Sequence, residues 1–429
     1  MRPACPEGPG SHEAISRLML DLQPMPTNRL YYDDSFLAEF DAQVLRCEQI
    51  LGNPSVTWRV TLDSTAFYPN SGGQPADKGK LGEAAILDVE DQGDEIAHIL
   101  DRAVPIGPIH GVIDWPRRFD HMQQHSAQHL LSAILQEGYT LPTVSFHLGS
   151  EVSTIDVRGA EPPAGALEEA AWIVNETIFE DRPVSVRYGT AEELAEVGVR
   201  KQVDRTGTLR AIEIEGIEVQ PCGGTHVRST GQIGMLLLRR VTKIRQDWRI
   251  EFLAGGRAAR AARKDYQLLR GTADSLKCAI EDVLPSVDRA LADRDARFKS
   301  LNAATERLAA AEAKQALEER PTGSDGLRII ARVIEGVEPI YLAKFAARLV
   351  REQRTIAILA RKECGHLAFA QNASSGKAMN DLLEKVVKKM GGKGGGTRDF
   401  ARGALADPSQ ATQAIEYAVA LLTEVQALS

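Results

Sequence analysis

The chain has 429 residues, of which 43% are hydrophobic and 5% aromatic, as expected for a soluble protein of two to four domains. Its formal net charge of −8 gives no general sign of nucleic-acid binding, so any such binding must depend on local basic patches. No run of about 18 apolar residues occurs, which excludes a membrane-spanning helix, and five scattered cysteines favour a reducing cytoplasm over a disulfide framework.

The first part of the chain predicts a proline-rich leader followed by a small β-barrel domain. We expect residues 1–26 to be disordered and residues 27–115 to form the barrel. Alternating patterns predict its strands at residues 42–45, 56–62, 81–88, 96–100 and 110–116.

A glycine-rich loop interrupts this domain between Asp63 and Gly79. It is either a tight turn of the barrel or part of a binding site. In the second case Gly72 and Gly73 would let a substrate approach the backbone, while Thr65 and Gln74 would offer hydrogen bonds.

Residues 116–255 predict an α+β domain that begins with a histidine-bearing helix. Apolar residues at helical spacing support this helix, with Asp120 as its N-cap. Positions four apart share a helix face, so His125 and His129 can bind one ion. His121 lies one turn earlier and could be a ligand instead, although we expect it beside the site or on the surface.

A second pair of candidate ligands lies in Cys222-Gly223-Gly224-Thr225-His226. Either pair alone could arise by chance, but thiolate and imidazole together are the ligands of tetrahedral zinc. The two pairs predict a Zn²⁺ site formed by His125, His129, Cys222 and His226. The sequence leaves open whether His226 binds the metal or leaves a free position for water.

Two stretches are locally basic. Residues 228–263 contain nine basic and two acidic residues, among them Arg249, and form either a solvated face or a phosphate-contacting rim. The run Gly391–Gly396, which includes Lys393, is either a helix C-cap and loop or a flexible positive loop that grips a nucleic-acid backbone.

The rest of the chain predicts a helical spacer and linker (256–325) and an α/β domain (326–429). Pro285 should divide the spacer into two helices, the second with a weak coiled-coil seam. Strands are predicted at 327–333, 355–360 and 367–371, and helices at 342–352, 378–389 and 410–428.

Several motifs, taken in order, resemble the alanyl-tRNA editing proteins of the long AlaX type, which are similar to the editing and C-terminal parts of alanyl-tRNA synthetase. The resemblance covers residues 27–429. The matching stretches are Phe67-Tyr68-Pro69 with Gly72-Gly73-Gln74-Pro75, His125-Ser126-Ala127-Gln128-His129-Leu130-Leu131, Cys222-Gly223-Gly224-Thr225-His226, Arg249-Ile250-Glu251-Phe252 and Gly391-Gly392-Lys393-Gly394-Gly395-Gly396. One departure is Ser71, which replaces the first of the three glycines that are often found there.

The resemblance implies a multidomain α+β fold. It consists of a small β-barrel, the α+β zinc editing domain shared by threonyl- and alanyl-tRNA synthetases, a helical spacer and a C-terminal α/β DHH-associated domain. It also implies ATP-independent hydrolysis, in trans, of tRNA(Ala) mischarged with serine or glycine. We expect Thr65 and Gln74 to act in catalysis by reading the small side chain, and Gly72, Gly73, Arg249 and Lys393 to contact the substrate or tRNA.

Three other functions stay open. The chain could hydrolyse another mischarged tRNA, such as Ser-tRNA(Thr), or it could be a non-catalytic tRNA-binding protein with a structural zinc. A small-molecule metallohydrolase is the least favoured, because the C-terminal part is basic. The spacer and the C-terminal domain could also form a homodimer.

Overall fold

A computed structural model of the protein describes residues 26–50, 56–199, 207–323 and 326–424. The predicted leader therefore lies, apart from Pro26, outside the described residues. The chain divides into two compact units, the first ending at Arg270 and the second beginning at Gly271. The domain boundaries predicted at residues 115, 255 and 325 fall within these units and stay predictions.

The first unit contains a closed barrel of six strands in the order β2-β3-β7-β6-β5-β8. Its interior is filled by alternating apolar residues such as Val60, Leu62 and Phe67. A short parallel pair, β1 with β4, lies outside the ring. The strands are β1 (Asn28–Arg29), β2 (Glu39–Ile50), β3 (Thr57–Leu62), β4 (Ser64–Thr65), β5 (Gly79–Leu81), β6 (Ala84–Asp91), β7 (Ile96–Leu100) and β8 (Gly107–Ile113).

The same unit continues as an α+β fold around one long helix, α1 (Trp115–Tyr139). Its apolar face packs in a common core with a four-stranded antiparallel sheet, β14-β15-β10-β9. A separate three-stranded sheet has the order β11-β12-β13. The strands are β9 (Thr143–Leu148), β10 (Ser153–Arg158), β11 (Val184–Gly189), β12 (Leu209–Ile214), β13 (Glu218–Pro221), β14 (Leu236–Ile244) and β15 (Asp247–Ala254), and the remaining helices are α2 (Ala166–Phe179), α3 (Ala191–Glu196) and α4 (Gly255–Leu276).

Helix α1 begins earlier than the sequence predicts. Its N-cap is Asp114, whose carboxylate accepts a hydrogen bond from the Arg117 backbone N–H at 3.2 Å, and Pro116 occupies the first turn. The prediction that Asp120 caps the helix is therefore wrong. Asp120 lies inside α1 and instead forms an ion pair with Arg257, with Nη2 to Oδ2 at 2.5 Å.

The second unit is a mixed five-stranded sheet of order β16-β17-β18-β20-β19 with helices on both faces. Helices α5 and α6 share a core with one face, and α7 and α8 share a core with the other. Pro285 lies in the first turn of α5, where proline is tolerated. The elements are α5 (Val283–Glu319), β16 (Arg328–Ile334), α6 (Pro339–Leu349), β17 (Thr355–Arg361), β18 (His366–Gln371), α7 (Met379–Met390), β19 (Gly392–Gly396), β20 (Phe400–Leu405) and α8 (Ala411–Glu424).

The glycine run at 391–396 is not a flexible loop. Gly391 caps α7 with a φ of 70°, as the helix C-cap interpretation expects, and the next five residues form edge strand β19. A Cβ on Gly394 would lie 2.8 Å from Leu383 Cδ2 and 2.9 Å from the Arg402 carbonyl oxygen. The glycines allow this strand to approach α7 and β20 closely.

The predicted fold class is confirmed. The closed barrel, the α+β region, the long helices and the C-terminal α/β unit all occur in the expected order. Among the helices of the described residues, none combines the length and apolar character needed to cross a membrane.

Candidate metal centre

Four side chains from two distant parts of the first unit converge on one point. His125 and His129 come from adjacent turns of α1, and Cys222 and His226 come from the loop that follows β13. One potential ligand atom from each lies within 4.8 Å of all the others. In the described parts of the chain this is the one such cluster of three or more His, Cys, Asp or Glu residues.

Two distances from the Cys222 sulfur fit a tetrahedral zinc ion. The Cys222 sulfur lies 3.5 Å from His125 Nε2 and 3.3 Å from His226 Nε2. Tetrahedral zinc with ordinary Zn–S and Zn–N bond lengths separates such atoms by about 3.6 Å. Three imidazoles and one thiolate are also the donor set that zinc prefers.

The outer nitrogen of each histidine is held by an oxygen atom. Nδ1 of His125 donates to Gln74 Oε1 at 2.9 Å, and Nδ1 of His129 donates to Glu218 Oε2 at 3.0 Å. Nδ1 of His226 lies 3.2 Å from Ser126 Oγ. These contacts turn the Nε2 atoms toward the centre of the cluster, as oxygen partners commonly do around metal-binding histidines.

The glycine-rich hairpin of the barrel brings Gln74 to this cluster. Ser71 and Gln74 exchange backbone hydrogen bonds of 3.2 and 3.0 Å, and the two residues between them, Gly72 and Gly73, have φ of 54° and 83°. Such a two-residue turn needs positive φ at both positions. Gln74 is fully buried there, and its Nε2 also donates to Thr225 Oγ1 at 2.8 Å.

A cleft of about 650 Å³ opens beside the cluster. His125, His129 and Cys222 line it, whereas His226 does not. The other walls come from the barrel, from strand β9 and from the cysteine loop, and they include Arg29, Tyr32, Tyr68, Gly72, Gln128, Thr143, Phe146 and Gln220. The cluster therefore forms part of the wall of a pocket large enough for a small organic group.

The electrostatics of the cluster favour a thiolate at Cys222. Burial raises the pKa of this thiol, but the neighbouring histidines, His125 first, outweigh burial and hold the pKa well below its ordinary range. Burial lowers the pKa of His226 to about 3, whereas at His129 the Glu218 carboxylate outweighs burial and raises the pKa to about 10, so a metal ion must displace the His129 proton. A thiolate and a neutral imidazole are the protonation states that bind metals.

A buried ion pair fixes the barrel to the helix that carries the histidines. Arg118 on α1 and Asp77 of the barrel are both fully inaccessible, and Arg118 Nε donates to both Asp77 oxygens at 3.0 Å. The guanidinium also donates to the carbonyl oxygens of Ser35 at 2.9 Å and Ala66 at 2.5 Å. This network locks the glycine-rich hairpin and α1 in one arrangement.

Of the four residues of the barrel domain that were predicted to act on or contact the substrate, one lines the cleft. Gly72 lines the cleft, and Gly73 packs against Phe146. Gln74 contacts His125, but Thr65 is buried on β4 with its Oγ1 2.8 Å from Nε2 of His98 on barrel strand β7. Neither Thr65 nor Gln74 is among the residues that line the cleft.

The predicted tRNA-contacting residues Arg249 and Lys393 are not among the residues that line the cleft. Arg249 on β15 forms a two-point ion pair with Asp156, at 2.7 and 2.9 Å. In the second unit, Lys393 lines a separate groove of about 640 Å³ together with His366 and Arg402. His121 is buried, its Nδ1 has no hydrogen-bond partner in the described structure, and burial lowers its pKa to about 4.

Sequence reasoning missed most of the residues that support the cluster. Ser126 and Glu218 have no motif of their own, and they contact histidines 100 and 89 residues away. Tyr32 and Phe146 were likewise not recognised as cleft residues. The one available signal was that Ser126 and Glu218 lie close in sequence to predicted ligands.

Comparison with known proteins identifies the family. Residues 209–251 match the threonyl and alanyl tRNA synthetase second additional domain, and residues 326–424 match the DHHA1 domain. The alanyl-tRNA editing protein AlaX-L of Pyrococcus horikoshii is 32% identical over 395 residues, which cover 87% of this chain and 94% of that protein. The chain belongs to the AlaX-L family of alanyl-tRNA editing proteins.

Two further relatives agree with this family. The alanine–tRNA ligase of Pyrococcus abyssi is 30% identical over 92% of this chain, which spans 44% of the ligase. The alanyl-tRNA editing protein Aarsd1 of Danio rerio is 32% identical over 60% of this chain and 65% of that protein. The resemblance expected from the sequence motifs is thus confirmed.

Proposed function

We propose that this AlaX-L chain is a trans-editing aminoacyl-tRNA deacylase, which hydrolyses serine from Ser-tRNA(Ala) and glycine from Gly-tRNA(Ala) at a zinc site. The observation that carries the proposal is the position of the cluster: His125, His129 and Cys222 form the wall of a cleft that the barrel's glycine hairpin also enters. The family of the chain supports the choice of alanyl-tRNA editing.

Zinc would be held by all four side chains of the cluster. His226 Nε2 lies as close to the Cys222 sulfur as His125 Nε2 does, and this supports four protein ligands rather than three. Bound there, zinc would hold the cysteine loop against α1 and so fix the shape of the cleft wall. The protein would then contribute mainly by positioning the ester and a water molecule.

We propose that Gln74 acts through His125 and not on the substrate itself. Its Oε1 accepts hydrogen bonds from His125 Nδ1 and from the Thr225 backbone N–H at 3.3 Å, and its Nε2 donates to the Thr225 hydroxyl oxygen. Both polar atoms of this amide therefore have protein partners among the described residues. Thr65 would similarly support the barrel wall through His98.

Selection of serine over alanine requires a group that binds the serine hydroxyl. We propose Gln128 for this role, since it lines the cleft and is 4% exposed. Its Nε2 donates to Ser132 Oγ at 2.9 Å, whereas its Oε1 is buried without a hydrogen-bond partner among the described residues. A serine hydroxyl that satisfied this acceptor would be favoured over the methyl group of alanine.

The tRNA would be held outside the cleft. The groove that contains Lys393 and Arg402 is a candidate phosphate contact in the second unit. On α5, an exposed apolar stripe supports the proposal of a homodimer, which light scattering would test. It comprises Leu284, Leu291, Phe298, Leu301 and Leu308.

A panel of charged tRNAs tests the proposal. The purified protein should release serine from Ser-tRNA(Ala) and glycine from Gly-tRNA(Ala), and leave Ala-tRNA(Ala) and Ser-tRNA(Thr) intact. Faster hydrolysis of Ser-tRNA(Thr) would replace the proposal with a deacylase for that tRNA. Binding of tRNA(Ala) without release of any amino acid would favour a non-catalytic binding protein.

A further inference from the structure

The three oxygen atoms that hold the histidines of the cluster are not equivalent. Gln74 and Ser126 offer a neutral amide and a neutral hydroxyl, while Glu218 offers a carboxylate. A neutral acceptor would suffice to orient an imidazole. The negative charge of Glu218 is therefore not explained by orientation of His129 alone.

Glu218 is built into the same short segment as one of the ligands. It begins strand β13 (Glu218–Pro221), which leads directly to Cys222, and its backbone pairs with Ile214 of β12. Its side chain is 2% exposed, and that of His129 is 6% exposed. A carboxylate buried this deeply is costly unless a positive charge compensates it.

The charge of a metal-loaded cluster supplies that compensation. A divalent cation with one thiolate and three neutral imidazoles carries a net charge of +1. This surplus would be buried, as His125, His129 and His226 are at most 5% exposed. One carboxylate in direct contact with a ligand brings the sum to zero.

We propose that Glu218 is a positioning residue that fixes His129 with Nε2 toward the metal and neutralises the charge of the loaded site. This inference depends on the proposed metal site and extends it to a residue that has no ligand role. Because Nδ1–H of His129 donates a hydrogen bond to an anion, Nε2 also becomes a stronger electron-pair donor to the metal.

The Zn²⁺ affinities of Glu218 variants distinguish the effect of its charge from the effect of its hydrogen bond. Glu218→Gln keeps an oxygen acceptor for His129 and removes the charge, and Glu218→Ala removes both. We expect Zn²⁺ affinity, measured by competition with a chromophoric chelator, to fall about 10- to 100-fold in Glu218→Gln and further in Glu218→Ala. Glu213→Gln is the matched control, because Glu213 lies on neighbouring strand β12 and pairs with Arg187 at 2.7 Å near the surface.

The same experiment contains the results that would overturn the inference. Glu218→Gln binding Zn²⁺ as tightly as the unchanged protein would show that the charge has no role. Glu218→Asp, which keeps the charge, should bind Zn²⁺ more tightly than Glu218→Gln, and the reverse order would also refute the proposal. Co²⁺ spectra of each variant would report whether four-coordinate geometry is retained.

The readout does not depend on tRNA hydrolysis. If the unchanged protein binds zinc but leaves Ser-tRNA(Ala) intact, the proposed function fails, and the zinc affinities of the variants still decide the role of Glu218. If Ser-tRNA(Ala) is hydrolysed and Glu218→Gln loses no zinc affinity, the role of Glu218 fails alone. Excess zinc should restore the deacylation rate of Glu218→Gln, because the variant lowers affinity and leaves the cleft unchanged.

Discussion

Two adjacent glycines in the cysteine loop should respond very differently to alanine. A Cβ on Gly224 would lie 2.2 Å from His125 Cε1 and 2.4 Å from His125 Nδ1, closer than real Cβ atoms come to other heavy atoms. A Cβ on Gly223 would meet only Tyr32, at 3.6 Å or more, which is an ordinary contact. Gly223→Ala is therefore a matched control for Gly224→Ala.

The size of the effect follows from the packing around His125. The imidazole must move by at least about 1.3 Å to regain van der Waals distance from the new methyl group. It cannot move freely, because Gln74 holds its Nδ1 at 2.9 Å and the Phe146 ring lies 5.1 Å from its ring centre. Overpacking of this kind costs about 1–3 kcal/mol, and a displaced ligand should reduce zinc affinity about 10- to 100-fold.

A chelator competition titration measures this directly. Zn²⁺ affinity should fall in Gly224→Ala and stay unchanged in Gly223→Ala, with thermal unfolding followed in parallel to check that both variants fold. Equal zinc affinity in the two variants would refute the placement of His125 against Gly224. It would also remove the physical reason for glycine at this position.

Three further predictions concern stability and selectivity. Arg118→Met should lower the free energy of unfolding by about 3–5 kcal/mol, because it leaves the buried carboxylate of Asp77 without its cation. In chemical denaturation the exposed control Arg158→Met should lower it by less than about 1 kcal/mol, and equal losses in the two variants would contradict the buried pair. Burial lowers the pKa of His98 to about 4, so folded His98 is neutral and the unfolded chain takes up the proton first as the pH falls. Between pH 6.5 and 4 the free energy of unfolding of the unchanged protein should thus fall by up to about 3 kcal/mol relative to that of His98→Gln. A difference between the two proteins that stays constant across this range would disprove the lowered pKa of His98. Gln128→Ala should lower the rate for Ser-tRNA(Ala) at least about 10-fold with little change for Gly-tRNA(Ala), and equal losses on both substrates would exclude a role in reading the hydroxyl.

The sequence predicted the parts of the site that depend on local spacing. Residues four apart on a helix must share a face, so the pair His125 and His129 could be found from periodicity alone. The pair Cys222 and His226 was recognisable because a loop with two glycines can turn back on itself. The predicted strands 96–100 and 355–360 also match the structure to within one residue, because their patterns are regular.

The contacts between distant segments could not be predicted in this way. Nothing in the sequence near Gln74 shows that its amide contacts His125 and Thr225, 51 and 151 residues away. The start of α1 was misplaced because Asp120 and Asp114 are both acceptable caps. In the structure Asp114 caps the helix, and Asp120 forms an ion pair with Arg257 instead.

The glycine run at 391–396 shows another limit of sequence reasoning. Glycine lowers the intrinsic preference for a strand, and so the run was interpreted as a loop. In the fold, β19 must approach β20 and α7 so closely that side chains would collide, and glycine satisfies this tertiary requirement. Close approach between distant segments is invisible in a single sequence.

Zinc-dependent release of serine from tRNA(Ala) is the most direct test of the central claim. The unchanged protein and Cys222→Ala would each be assayed on Ser-tRNA(Ala) and Ala-tRNA(Ala), first with zinc removed by chelator and then with zinc returned. We predict that only Ser-tRNA(Ala) is hydrolysed, only by the unchanged protein, and only when zinc is present. Hydrolysis that persists in the chelated protein or in Cys222→Ala would contradict a role for the metal cluster in editing.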